Sequence, residues 1–181
     1  MMGKIKICRI KTKQAFSLVE MMVTMVIFSI LLGGLYASAA VGEKAWDVNA
    51  VKVELHQELR KAMEWMIYDL RQAGQASITN VPSDGAWYTT ITFKSASGVT
   101  AGTIDWDANS TQFVRGGTGN AQLQRIRNGV TKVLALDLSS LQFRRQAGSP
   151  NVLEVALAAQ KSTTKGISVQ YNLDFNVQLR N

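Results

Sequence analysis

From Met21 to Gly42 the chain carries no charged side chain, and the 21 residues Met21–Val41 form a continuous, mostly apolar run. At about 1.5 Å per residue, a helix of that length reaches roughly 30 Å, the thickness of a bilayer's hydrocarbon core. From Glu43 the sequence turns polar, but apolar residues persist at three- and four-residue spacing: Val48, Val51, Leu55, Leu59, Ala62, Met66, Leu70 and Ala73. That period predicts a helix continuing past the apolar run with one dry stripe. Gly74 is the expected stop, so one helix over residues 16–73 is predicted, with its membrane-crossing part at 21–41.

Beyond Gly74 the period shortens to two. After the turn signal Val81-Pro82-Ser83-Asp84-Gly85, Trp87, Thr89, Ile91 and Phe93 alternate with polar neighbours, as do Leu153, Val155 and Leu157. Near the C-terminal end, Ile167, Val169, Tyr171, Leu173, Phe175, Val177 and Leu179 alternate without a fault, which predicts a long strand with one dry and one wet face. Gly98, Gly102, Gly116-Gly117-Thr118-Gly119, Gly129 and Ser149-Pro150 punctuate the strands. Residues 74–181 therefore read as an antiparallel β-rich domain with a core of its own. A stripe of eight helix positions fits a coiled-coil stalk or a face packed on that sheet; the strands that follow favour packing. The expected fold class is α+β.

Charge changes the picture at the N-terminal end. Residues 1–15 hold Lys4, Lys6, Arg9, Lys11 and Lys13 with no acid, which predicts a cytoplasmic leader and a chain oriented N-in, C-out. Without that leader, 15 basic side chains face 13 acidic ones, so the pI near 9.7 is no argument for nucleic acid as a partner. Cys8, the single cysteine, also falls in the leader. The remaining chain then depends on packing rather than disulfides in an oxidising compartment.

Glu20 is the anomaly, because a carboxylate deep in a bilayer costs on the order of 2.5–3.5 kcal/mol. Cleavage between Ala15 and Phe16 would create a partner for it: the new α-ammonium of Phe16, one helical turn away in the same chain or presented by a neighbour. The run Phe16-Ser17-Leu18-Val19-Glu20-Met21-Met22-Val23 after a short basic leader resembles the N-terminus of type IV pilins and type II secretion pseudopilins. The resemblance implies that a prepilin peptidase cuts before Phe16 and methylates its new amine; Ala15 stands where that family usually has glycine. The stretches Leu55–Arg60, Tyr68–Gly74 and Phe175–Asn181 are similar to J-type minor pseudopilins and W-type minor pilins. That likeness implies a low-copy subunit at the tip of a filament. Its partners would be other minor and major pilins or pseudopilins and an inner-membrane assembly platform, with the C-terminal domain in the periplasm.

Competing readings attach to several residues. Ala37-Ser38-Ala39 could end an ordinary signal peptide, giving a secreted binding protein that starts at Ala40, but the apolar run exceeds the 7–15 residues of a signal core. Gly33-Gly34 reads either as a soft point in the helix or as a small-residue contact face. Arg115, Arg125, Arg127, Arg144 and Arg145 would serve a DNA-capturing filament, or be scattered over solvated strand faces. Asp105, Asp107 and Asn109 are a candidate calcium ligand set, although Ser110 and Gly116 stand where a calcium loop has its bend glycine and bidentate glutamate; polar turn residues are the alternative. His56, the one histidine, is expected on the solvated side of the helix. No nucleophile–histidine pair, zinc set or phosphate loop can be assembled, so neither an enzyme nor a cofactor is expected.

Overall fold

The computed structural model describes residues 17–180, within two compact units, Met1–Glu43 and Lys44–Asn181. Helix α1 spans Leu18–Leu70, 53 residues without a proline to break it. In the first unit its side chains are almost all exposed, including large apolar residues from Leu18 to Tyr36. The 18-residue window that qualifies the helix as a membrane span has a mean hydropathy of 2.2 and is 0% buried. An apolar surface of that extent has no stable arrangement in water, which is why a lipid environment or neighbouring helices must cover it.

In the second unit the same helix obeys the opposite rule. Leu55, Leu59, Ala62, Met66 and Leu70 are 0–1% exposed, and Val48 and Val51 are half-buried against the same core. The stripe packs on strands, as expected, and the coiled-coil alternative falls away. Among the described residues, seven strands complete the unit in two antiparallel sheets. The first is ordered β1 (Ile91–Thr100), β2 (Thr103–Gly116), β3 (Gln122–Arg127), β4 (Val130–Ala135). The second is ordered β5 (Leu138–Gln146), β6 (Ser149–Ser162), β7 (Ser168–Gln178). Each sheet is a meander whose neighbours in sequence are neighbours in space. Two of its hairpins close on two-residue turns with positive φ at both positions, Ala101-Gly102 (50°, 82°) and Asn128-Gly129 (52°, 73°), the geometry that matches strand twist. The core joins both sheets to α1: Phe93 and Phe113 lie 5.7 Å apart, and Phe143, Leu153 and Leu157 close it from the second sheet.

The structure corrects two sequence expectations. Trp87 and Thr89 are exposed and lie outside β1, which begins at Ile91. The reason is that Tyr88 spends its backbone on β5, with N–O distances of 2.8 and 2.7 Å to Phe143, while Asn80 receives Thr92 N and donates to Thr90 O. Alternation therefore breaks at residues 89–90, and Tyr88 rather than Trp87 packs on the core. The second correction concerns Gly74. The helix ends at Leu70, and Gly74 is extended (φ −92°, ψ 156°), so it is not a left-handed helix cap. Its missing side chain serves a close approach instead: a Cβ there would overlap the ring of Trp106. Ala73 and Gly74 pair with Ser95 and Arg180, which draws the chain out of the helix into the sheets.

One ion pair ties the helix to the first sheet. Asp69 sits on the buried stripe, and Arg125 of β3 reaches it with both nitrogens of its fork, Nε–Oδ2 2.5 Å and Nη2–Oδ1 3.2 Å; the side chains are 6% and 18% exposed. Removing one member of such a pair strands the other charge, whereas an apolar pair of similar volume does not. Asp69→Ala should therefore destabilise the domain by about 3 kcal/mol, and the double variant Asp69→Leu/Arg125→Met should recover most of the loss in chemical denaturation.

Candidate assembly site

The N-terminal motif begins on residues outside those described: Ala15, Phe16 and the cationic leader all precede Ser17. What the structure places is the acid. Met21 N donates to Ser17 O at 3.1 Å, and Glu20 falls in the first turn of α1, exposed. A helix N-terminus carries partial positive charge from its unpaired N–H groups, which makes that turn the least unfavourable place on an apolar helix for a carboxylate. Within the uncharged run two hydroxyls bond to the helix's own backbone: Thr24 Oγ1 donates to Met21 O at 2.9 Å and Ser29 Oγ to Met25 O at 2.8 Å. Glu20 is therefore the one charge on α1 before Glu43. The helix passes through Gly33-Gly34 unbroken, with open space where either Cβ would be.

The five arginines considered for DNA are each engaged by other groups of the fold. Arg125 holds Asp69; Arg127 Nη2 meets Asp107 Oδ2 at 2.6 Å; Arg144 pairs with Glu154 and lies over the Trp87 ring. Arg115 donates to the carbonyls of Asn120 and Leu138, and Arg145, 5% exposed, to those of Pro150 and Val81. Three of the five charges are thus paired with acids, while Arg115 and Arg145 are held by backbone carbonyls. The aliphatic and planar surfaces of arginine suit these partly buried posts better than lysine would.

Asp105, Asp107 and Asn109 lie on β2 rather than in a turn between strands. Asp105 Oδ2 accepts from Thr100 Oγ1 at 2.5 Å, while Asp107 Oδ1 accepts Asn109 N at 3.0 Å. With Arg127 on its other oxygen, Asp107 already has a cation. Among the described residues no cluster of three His, Cys, Asp or Glu side chains is placed to hold a metal. Gly116-Gly117-Thr118-Gly119 links β2 to β3, and His56 is exposed with its ring edge-on to Tyr171 at 5.1 Å. The reading from sequence missed the Asp69–Arg125 pair, although a carboxylate between Met66 and Leu70 on a dry stripe was the available signal.

Residues 10–36 match the family model described as the prokaryotic N-terminal methylation motif. That stretch brackets both the Ala15-Phe16 junction and Glu20, and supports a pilin- or pseudopilin-type subunit anchored by one N-terminal span. No match to the chain is found among curated proteins.

Backbone donation from Asn109, and then the Arg127 guanidinium, hold the Asp107 carboxyl below the usual carboxylate range. A depressed pKa stabilises the fold above the unfolded value of about 3.9 and ceases to do so as pH falls through the folded value. Asp107→Asn should accordingly lower the thermal midpoint at neutral pH. That difference should close below about pH 4, as read by circular dichroism melts across a pH series.

Proposed function

We propose that this chain is a minor subunit of a type II secretion pseudopilus or a type IV pilus, of the J or W type, standing at or near the filament tip. The leader 1–15 stays in the cytoplasm, the span 21–41 holds the precursor in the inner membrane, and the β-rich domain faces the periplasm. Prepilin peptidase cuts between Ala15 and Phe16, and the freed, methylated amine of Phe16 becomes the counter-charge that Glu20 lacks in lipid. In a medium of low dielectric that attraction is far larger than in water, and each partner is costly alone. Glu20 of one subunit meeting Phe16 of another would make cleavage the licence for assembly, with helix packing adding the rest. The reading is carried by the motif over residues 10–36 together with one exposed carboxylate at the head of an apolar helical span that is otherwise uncharged up to Gly42.

The signal-peptide alternative requires cleavage after Ala39. That bond lies within α1, which continues without interruption to Leu70. A chain starting at Ala40 would still possess the buried stripe, so the domain's folding does not separate the two readings; the mature N-terminus does.

Mass spectrometry and N-terminal sequencing of protein from its native membrane should give methylated Phe16, and a start at Ala40 or an intact leader would overturn the reading. Glu20→Ala should insert normally in the membrane, yet its recovery in sheared filaments should drop at least tenfold. Undiminished recovery would refute the pairing role of Glu20.

A further inference from the structure

A cavity of about 590 Å³ opens in the second unit where the segment after α1 meets β2 and β5, lined by Gly74, Gln75, Ala76, Trp106, Arg145 and Arg180. Its chemistry is lopsided: two guanidinium groups, an indole and, among the described residues, no acid. Arg125, Arg127 and Arg144 each meet a carboxylate; Arg145, the most deeply buried of these, meets only carbonyls among the described residues. Its Nε donates to Pro150 O at 2.9 Å and its Nη1 to Val81 O at 3.1 Å. Two carbonyls fix the plane of the group without neutralising it, and burial pushes its pKa down. A cation desolvated to this degree is normally matched by an anion.

The other walls are equally fixed. Trp106 lies so close over the backbone of Gly74 that no side chain fits between them. Arg180 is tied by its backbone, its N to Ala73 O at 2.9 Å and its O to Gln75 N at 3.2 Å, so its exposed side chain starts from a set position at the rim.

We propose that this cavity is a carboxylate site: Arg145 and Arg180 take the oxygens of an acid whose apolar body lies against Trp106. Planar guanidinium groups match a carboxylate's two oxygens, and an indole face suits a flat or apolar substituent. Such an acid is either a free organic carboxylate or an acidic side chain presented by a partner polypeptide. The site is independent of the pairing assigned to Glu20, and its test does not involve the filament.

The full chain in detergent micelles is titrated with benzoate, with uncharged benzamide, and with the capped dipeptide Ac-Phe-Glu-NH2, following the indole N–H resonance of Trp106 assigned through Trp106→Phe. Benzoate should shift that resonance saturably, with benzamide at least tenfold weaker. Arg180→Gln, which keeps the backbone bonds of that residue, should weaken benzoate at least fivefold at an unchanged thermal midpoint. Tighter binding of the dipeptide than of benzoate assigns the site to a partner polypeptide, and the reverse assigns it to a free acid. Absence of a saturable shift with either acid, equal binding of benzamide, or an unaffected Arg180→Gln variant would overturn the proposal.

Discussion

The constraint on which everything else rests is that one helix must satisfy two solvents. Up to Glu43, α1 is apolar on every side and buries nothing of its own, so whatever covers it must come from outside the chain. From Leu55 onward only one stripe is dry, and the two sheets cover it. Burying a leucine side chain is worth roughly 2 kcal/mol, and three leucines, a methionine and an alanine recur along this face. The stripe anchors the domain on its helix without any disulfide. The polar contacts around it, Asp69 with Arg125 above all, fix register rather than supply most of the stability.

The α+β class, the packed stripe and the long final strand were legible because each is a repeating pattern, and periodicity survives wherever one face of an element is buried. Leu55 to Leu70 and Val169 to Val177 are the clearest examples. What could not be read depended on single long-range partners. Nothing local shows that the Tyr88 backbone is claimed by Phe143, so the alternation from Trp87 to Phe93 looked like one strand when it is two segments with a break. Gly74 looked like a helix cap because glycine usually ends helices that way. Its actual reason, the ring of Trp106, lies more than thirty residues downstream. Glu20 stands out in the sequence for a different reason, because it violates the apolar pattern of its run; the structure adds that it lies in the first turn of α1.

The domain's basic residues were left between two readings by the sequence, a face for DNA or solvated strand faces, because their partners lie far along the chain. In the fold, Arg125, Arg127 and Arg144 are bound to acids from other elements, and Lys161 bridges Glu54 and Asp137, with the Glu54 carboxylate raising its pKa. Charge in this domain works chiefly as cross-links, from α1 to the strands at Asp69 and Glu54 and from strand to strand at Asp107 and Glu154.

The backbone bonds between Ala73, Gln75 and Arg180 have a consequence for how the polypeptide comes into being. The segment leaving α1 is held by a residue more than a hundred positions later, with β7 laid down just before it. Such a closure cannot form until residue 180 has emerged, and contacts of that sequence separation are slow to find. A nascent chain whose N-terminal helix is already in the bilayer would therefore wait with its dry stripe uncovered. In that interval the uncovered stripe is open to misassociation, so the yield of folded protein depends on how soon residues 168–180 follow.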